Sequence, residues 1–188
     1  MPGSLHVRPV RRADARAVRG IYAPYVIGTH ISFEVDPPDD AEMERRIEDL
    51  TRRHPWLVCE VDGVVTGYVY ATDFRRRHAY ASTRETTVYV DMEHQGRGIG
   101  RALMTALIEE LRQVGARLLV AVIALPNPAS VGLHETLGFR HVGVLHDVGH
   151  KFGRWHDESI WERRLVAGVG PNHRLDGSSS VDVPGSGA

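Results

Sequence analysis

The sequence predicts an α/β fold with one mixed, mostly antiparallel sheet flanked by helices, and three observations support this prediction. Two apolar runs at 56–61 and 64–70 are separated by an Asp-Gly pair, the signature of a tight β-hairpin. Further on, a β-branched and aromatic run at 87–90 leads through a glycine-rich turn into a helical pattern at 101–114. A continuous apolar run at 117–123 follows, as expected of a strand buried on both faces.

The first part of the chain is predicted to supply a strand and two helices before the hairpin. Residues 5–10 form the strand, and Asp14 is placed to cap the first helix. Pro24 is expected to end or kink that helix. The stretch 28–35 is expected to be a loop with a short extended piece, and the Pro- and Asp-rich segment 36–40 caps the second helix. The inward faces of the two helices are Val18, Ile21, Tyr22 and Tyr25, then Met43, Ile47 and Leu50.

The later part of the chain is predicted to add two helices and three strands. Gly115 is placed to end the helix at 101–114, and Gly138 to end a further helix at 127–137. A final strand pair follows at 141–148 and 157–164. The apolar face of the helix at 101–114 consists of Leu103, Met104, Leu107, Ile108, Leu111 and Val114.

Length and composition indicate one domain at residues 1–165, followed by a Gly-, Ser- and Pro-rich tail at 166–188 that is predicted to be disordered. With 25% charged residues and a formal net charge of −1, the chain has no overall basic field that would favour nucleic acid. Cys59 is the single cysteine, which excludes an intramolecular disulfide and suits a reducing cytoplasmic location. No apolar run approaches the roughly 20 residues of a membrane span, so no membrane association is expected.

The glycine turn before the helix at 101–114 predicts an anion-binding site. Gly96, Gly98 and Gly100 recur at every second position, so the backbone can approach a phosphate without an intervening Cβ. The first turn of the helix leaves N–H groups free, and its dipole favours negative charge. Arg97 and Arg101 add positive charge beside the turn.

The spacing of the glycines narrows the kind of phosphate ligand. A P-loop requires Lys followed by Ser or Thr after its last glycine, which residues 99–101 do not supply. A dinucleotide-binding turn requires Gly-x-Gly-x-x-Gly at the start of a βαβ unit. The segment 95–100, Gln-Gly-Arg-Gly-Ile-Gly, instead resembles the pyrophosphate loop of the GCN5-related N-acetyltransferase (GNAT) family, Gln/Arg-x-x-Gly-x-Gly/Ala.

A second segment strengthens this resemblance. Residues 127–139 have the spacing of the family's second cofactor segment, Asn-x-x-Ala/Ser-x-x-Leu-Tyr-x-x-x-Gly-Phe. Within the family, the chain is similar over about residues 5–165 to phosphinothricin N-acetyltransferases and to methionine sulfoximine/methionine sulfone acetyltransferases. The segments that carry this likeness are 32–34, 54–58, 85–90, 94–95, 120–123, 125–127, 133–135, 149–151 and 155–157.

The resemblance implies the acyl-CoA N-acyltransferase fold, in which a splay between the fourth and fifth strands admits coenzyme A. It also implies acetyl-CoA as cosubstrate, a small amino-acid-like acceptor and a homodimer. The cofactor-binding residues expected on these grounds are Val88, Tyr89, Val90, Gln95, Gly96, Arg97, Gly98, Ile99, Gly100, Arg101, Asn127 and Ser130.

Acetyl transfer to an amine requires removal of the ammonium proton and protonation of the departing thiolate. Glu85 begins the central strand and matches the family's proposed catalytic glutamate, so we expect it to be the base. Most members carry a tyrosine as general acid where this chain has His134, which can also donate a proton near neutrality. His134 could instead orient the substrate.

Substrate contacts are expected from a basic loop and nearby side chains. Arginines at 75–77 can hold a carboxylate or phosphinate through paired hydrogen bonds. Lys151 and Trp155 are expected near the substrate pocket or at a dimer interface. The expected substrate-binding residues are Phe33, Arg75, Arg77, Tyr80, Glu85 and Thr87.

Two other kinds of function remain open from the sequence. A non-catalytic acyl-CoA-binding module would keep the glycine turn but could lose Glu85, which is present. An acetyltransferase of protein or peptide N-termini would favour an open acidic groove rather than a basic loop with aromatic residues. A metal is not predicted, because the histidines at 141, 146, 150 and 156 lack metal-ligand spacing.

Overall fold

Seven strands and four helices make up residues 4–165, the part of the chain that the computed structural model describes. The predicted tail at 166–188 lies outside the described residues. The strands are β1 (Leu5–Pro9), β2 (Trp56–Val61), β3 (Val64–Asp73), β4 (Thr83–Val90), β5 (Leu118–Ala124), β6 (Arg140–Lys151) and β7 (Arg154–Arg164). The helices are α1 (Ala15–Gly28), α2 (Asp40–Thr51), α3 (Ile99–Gln113) and α4 (Pro128–Thr136).

The strands form one sheet in the order β1-β2-β3-β4-β5-β7-β6, in which only β4 and β5 are parallel. This arrangement confirms the predicted mixed, mostly antiparallel sheet. The parallel pair is connected through α3, as expected because parallel neighbours need a crossover.

The helices cover the two faces of the sheet with separate apolar clusters. On one face, α3 buries a stripe that includes Leu103, Leu107 and Leu111 against β2, β3 and β5. On the other face, α1 and α2 pack against Trp56, Val58 and Tyr68. Val114 was predicted on the buried stripe of α3 but is the C-cap residue and is 67% exposed.

Pro24 was predicted to end or kink α1. It does not end the helix, which continues through it to Gly28, so that part of the prediction is wrong. Proline removes only one backbone donor, and buried residues before and after Pro24 hold the helix to the sheet. The buried residues are Ala15, Val18, Ile21, Tyr22, Tyr25 and Val26.

The two predicted helix starts differ in how they are capped. Asp14 does occupy the N-cap position of α1, but its side chain makes no capping hydrogen bond. Its carboxylate instead accepts two hydrogen bonds from Arg8 of β1, at 2.7 and 2.9 Å. Asp39 caps α2 in the usual way by accepting from the backbone N–H of Glu42 at 2.8 Å.

The parallel strands β4 and β5 separate partway along their length. They pair only from Thr83 with Leu118 to Glu85 with Val120. β5 remains paired with β7 as far as Ala124, so the two central strands diverge and leave an opening in the sheet. The hydroxyl of Thr86 donates to the carbonyl of Val120 at 3.3 Å at the point of separation.

Candidate active site

A cleft of about 630 Å³ lies where β4 and β5 separate. It is bounded by the far halves of these strands, by the glycine turn before α3 and by α4. Every residue predicted to bind the cofactor lines it except Arg97, which is exposed to solvent beside it. The structure therefore brings together two segments that are separate in the sequence, around 95–101 and 127–130.

The glycine turn presents free backbone donors to this cleft. Gly96 and Gly98 have φ of 74° and 79°, values that a residue with a Cβ rarely adopts. Gly98 is the N-cap of α3, and the first bond of the helix runs from the N–H of Ala102 to its carbonyl at 3.0 Å. The N–H groups at 99–101 therefore have no partner within the helix and are available to an anion.

Gly100 is needed for a different reason. It lies in the first turn of α3, and a Cβ added there would come within 3.2 Å of Leu133 in α4. The glycine therefore allows α3 and α4 to pack closely where both helices border the cleft. Sequence spacing alone had assigned Gly100 to approach of the phosphate.

Gln95 belongs to a hydrogen-bonded chain that joins the glycine turn to α1 and β4. Its amide donates to the hydroxyl of Tyr25 at 2.8 Å, and that hydroxyl donates to the carbonyl of Val90 at 2.6 Å. Tyr25 was missed as a site residue in the sequence, because its partners lie more than 60 positions away. These bonds fix the end of β4 relative to the turn.

Asn127 starts α4 and orients its first turn. Its side-chain oxygen accepts from the backbone N–H of Ser130 at 3.1 Å, which is an N-cap interaction. Both residues line the cleft. The family-like spacing at 127–130 is thus also a helix-capping signal.

His134 of α4 is one of the residues that line the cleft, but it is buried, and one of its ring nitrogens has no hydrogen-bond partner within residues 4–165. Its Nδ1 lies 2.8 Å from the carbonyl oxygen of Ser130, whereas its buried Nε2 makes no hydrogen bond within residues 4–165. The ring packs edge-to-face on Phe139 with centroids 4.9 Å apart. Burial lowers the pKa of His134, so the neutral ring is favoured at pH 7.

Glu85 lies at the last paired position of β4 and β5, directly before Thr86 and Thr87 of the cleft lining, but is not itself one of the lining residues. Its side chain is half-buried, and it projects from the same face as Thr87 and Tyr89, whose ring packs against the α1–α2 cluster. Burial, and then the negative charge of Glu158, raise the pKa of Glu85. A carboxylate with a raised pKa is a better proton acceptor near neutral pH.

The two predicted catalytic residues approach the opening from opposite faces of the sheet. Val88 and Val90, which alternate with Thr87 and Tyr89, pack against the α3 cluster together with Leu133 of α4. α4, which carries His134, is therefore on the α3 face, and Glu85 is on the α1–α2 face. An opening between them allows two ligands to meet from the two faces.

The predicted substrate residues do not all gather at the cleft. Thr87 lines it, but Arg75, Arg77 and Tyr80 belong to the loop between β3 and β4. Arg75 and Arg77 are exposed, and the guanidinium of Arg75 lies over the rings of Phe74 and Tyr80 at 5.0 and 5.5 Å. These contacts hold Arg75 against its own loop.

Phe33 lies on the loop after α1, and this loop is fastened to the β6–β7 hairpin. A Cβ on Gly149 of β6 would overlap the Phe33 ring, so glycine is required there for the ring to pack. Lys151 is buried and donates to the carbonyls of Val26 and Ser32, both at 2.6 Å. Lys151 therefore holds the loop that carries Phe33 in place. Trp155 is exposed.

The described residues give no indication of a metal site or a membrane span. Within residues 4–165, no group of three or more His, Cys, Asp or Glu side chains is arranged to hold a metal ion. Over the same residues, no helix is long and apolar enough to cross a membrane.

Comparison with known proteins assigns the chain to a family. The profile of the acetyltransferase (GNAT) domain matches residues 7–160. Phosphinothricin N-acetyltransferase from Streptomyces viridochromogenes is 42% identical, with 85% of this chain and 87% of that protein covered. L-methionine sulfoximine/L-methionine sulfone acetyltransferase from Salmonella typhimurium is 36% identical, with 88% and 98% covered.

Solved structures agree with this assignment. A phosphinothricin acetyltransferase from Sinorhizobium meliloti in complex with AcCoA has a TM-score of 0.84 at 35% identity, covering 94% of this chain and 97% of that one. A ribosomal-protein-alanine N-acetyltransferase from Brucella melitensis has a TM-score of 0.83 at 35% identity, covering 85% and 99%. The chain belongs to the GNAT acetyltransferase family, and it is an N-acetyltransferase; the fold class predicted from the sequence is confirmed.

Proposed function

We propose that this enzyme transfers the acetyl group of acetyl-CoA to the amino group of a small amino acid of the phosphinothricin, methionine sulfoximine or methionine sulfone type. The observation that carries the proposal is the opening between β4 and β5, with free helix N–H groups at one end and Glu85 at the other. The names of the relatives supply the substrate class.

The residues around the cleft fit a coenzyme A thioester. The N–H groups at 99–101 and the charge of Arg101 would hold the pyrophosphate. The β4 edge at 86–90 no longer pairs with β5, so its backbone groups can bind the amide-containing arm of the cofactor. Bound there, acetyl-CoA supplies the activated acetyl group close to where the strands meet.

Glu85 is proposed to take the proton from the acceptor's ammonium group. It is half-buried, and its raised pKa favours proton uptake at a pH where a solvent-exposed carboxylate would be a weak base. The neutral amine can then attack the acetyl carbonyl.

His134 is proposed to protonate the departing thiolate. Its Nδ1 proton is engaged with the carbonyl of Ser130, so a proton in transit would be held by the otherwise bare Nε2. The attacking nitrogen becomes positively charged when it bonds to the acetyl carbon, and the proton that it must then lose can pass through Nε2 to the departing sulfur. Burial disfavours the charged ring, so this proton is readily given up. The role is that of a transient proton carrier.

The carboxylate of the acceptor is assigned to the exposed arginines at 75 and 77, with Tyr80 and Phe33 as aromatic walls. Guanidinium groups bind carboxylates with paired hydrogen bonds, and neither arginine is held by a salt bridge within the described residues 4–165. A homodimer and a cytoplasmic location remain predictions that accompany this proposal.

Acetylation of protein N-termini is the second candidate, favoured by the likeness to the Brucella melitensis structure. A panel assay with acetyl-CoA distinguishes the two. Methionine sulfone, methionine sulfoximine and phosphinothricin are compared with a peptide that has a free N-terminal alanine. We expect kcat/KM for at least one amino acid to exceed that for the peptide by about 100-fold or more. Preference for the peptide, or no turnover of any amino acid, would reject the proposed substrate class.

A further inference from the structure

A second half-buried carboxylate, Glu158, lies on the same face of the sheet as Glu85. Glu158 of β7 pairs with Ala124 of β5, and Glu85 of β4 pairs with Val120 of β5. Val120 and Ala124 are four positions apart on one strand, so their side chains and those of their partners point to the same face. Ala124 lines the cleft, and Glu158 lies beside it on the neighbouring strand, although Glu158 is not itself one of the lining residues.

Among the residues that the structure describes, no cation balances the two carboxylates. Within residues 4–165, neither Glu85 nor Glu158 forms a salt bridge or a side-chain hydrogen bond, and burial raises the pKa of both. The negative charge of Glu158 contributes to the raised pKa of Glu85, so the two groups are close enough to interact. Glu162, four residues along the same strand and face, is instead paired with Arg140.

A pair of partly desolvated carboxylates without counter-charge costs stability unless a ligand supplies positive charge. A second polar group at the opening also lacks a partner, because the buried Nε2 of His134, on the opposite face of the sheet, makes no hydrogen bond among the described residues. An amino-acid acceptor presents an ammonium group, and such a group beside Glu85 would also be attracted by the negative charge of Glu158. An anionic side group on the acceptor, in addition to its α-carboxylate, would be repelled by Glu85 and Glu158.

We propose that Glu158 is a specificity-determining residue of the acceptor pocket, which attracts the substrate's ammonium group and disfavours acceptors whose side group is anionic. The inference rests on the proposed function. Among acceptors of the proposed class, Glu158 favours those with an uncharged sulfone or sulfoximine group over those with a phosphinate. The α-carboxylate is the only anionic group on such acceptors, and it binds Arg75 and Arg77.

The test compares two acceptors, methionine sulfone and phosphinothricin, by the ratio of their kcat/KM values. We expect Glu158→Gln, which removes the charge and keeps the shape, to lower the sulfone-to-phosphinate ratio by about tenfold or more. Glu158→Asp keeps the charge, and Glu162→Gln removes a charge that Arg140 already balances. Both should leave the ratio within about threefold of the wild type.

Thermal unfolding of each variant accompanies the kinetics, and Glu158→Ser replaces Glu158→Gln in the comparison if the latter does not fold. An unchanged ratio in the neutral variant would overturn the inference. An equal change in Glu158→Asp would also overturn it, because shape rather than charge would then be responsible. If the wild type acetylates neither acceptor, the proposed function fails, and that outcome is distinct from both.

Discussion

The Nδ1 atom of His134 lies 2.8 Å from the carbonyl oxygen of Ser130, one helical turn earlier in α4. A carbonyl oxygen can only accept, so Nδ1 carries the proton and the neutral ring leaves Nε2 bare. We predict that nitrogen NMR at pH 7 finds His134 neutral with its proton on Nδ1. Because burial lowers its pKa, protonation of Nε2 should occur below the ordinary histidine range. A proton on Nε2 of the neutral ring at pH 7 would contradict this reading of α4.

Replacing His134 with phenylalanine tests its part in the reaction. Phe keeps an aromatic ring against Phe139 but cannot hold a proton, so kcat should fall while acetyl-CoA affinity changes little. The loss should be smallest at acid pH, where solvent can protonate the thiolate. The measurement is kcat against pH for both proteins. An equal loss at every pH would assign His134 to orienting the substrate instead.

Gly98→Val should weaken acetyl-CoA binding without preventing folding. A Cβ added at residue 98 would have no protein atom within 4 Å, but it would lie at the N-terminus of α3, where the pyrophosphate is proposed to bind. The φ of 79° adds strain, typically about 1–3 kcal/mol of unfolding free energy. Calorimetric titration with acetyl-CoA measures the affinity, and thermal unfolding measures the strain.

Gly115→Val is the matched control for this variant. Gly115 follows the other end of α3, has a φ of 80°, and likewise has no atom within 4 Å of an added Cβ. The control should lose similar stability and keep its affinity. Equal affinities for the folded Gly98→Val variant and the wild type would remove the glycine turn from the proposed cofactor site.

Gly149→Ala should impair use of the acceptor more than use of acetyl-CoA. The new methyl group would overlap the ring of Phe33, and this ring would have to move from its place against β6. Overpacking of this kind costs about 1–3 kcal/mol of stability. Steady-state kinetics should give a raised KM for the amino acid and a nearly unchanged KM for acetyl-CoA.

Gly143→Ala provides the comparison on the same strand. Gly143 is also in β6, but an added Cβ would meet nothing within 4 Å. Kinetic constants near those of the wild type are expected for this variant. If Gly149→Ala shares those constants, Phe33 does not form part of the acceptor pocket.

Local patterns were sufficient to predict most of the fold. The Asp-Gly pair at 62–63 predicted the β2–β3 hairpin, and Gly115 follows the end of α3 as expected, although the helix begins at Ile99, two residues before its predicted start. These signals depend on backbone preferences over a few residues, which the sequence displays directly. Resemblance to the family added the opening between β4 and β5, which no local pattern encodes.

Features that depend on distant partners could not be predicted in the same way. Asp14 was expected to cap α1, but Arg8 on the neighbouring strand takes its carboxylate. Tyr25 lines the cleft, and Glu158 lies beside a lining residue, Ala124, through partners many residues away, and neither stands in a motif. Pro24 was expected to interrupt α1, yet burial of the helix face outweighs the loss of one backbone donor.

The pH dependence of Glu85→Gln shows whether the carboxylate of Glu85 is the catalytic base. Glutamine keeps the shape of the side chain but cannot take a proton. General base catalysis contributes about 10²- to 10⁴-fold, so kcat should fall by that order while acetyl-CoA affinity stays the same. Glu162→Gln, on the same face but paired with Arg140, should retain wild-type turnover.

The dependence of kcat/KM on pH shows whether a carboxylate acts as the base. Because burial raises the pKa of Glu85, the wild-type kcat/KM should decline on the acid side beginning above the ordinary glutamate range, as the base becomes protonated. The acid limb in Glu85→Gln should reflect only the amine. A fall of about 100-fold or more with loss of the carboxylate limb is the result that we predict, and near-normal turnover of Glu85→Gln across the pH range would contradict the account.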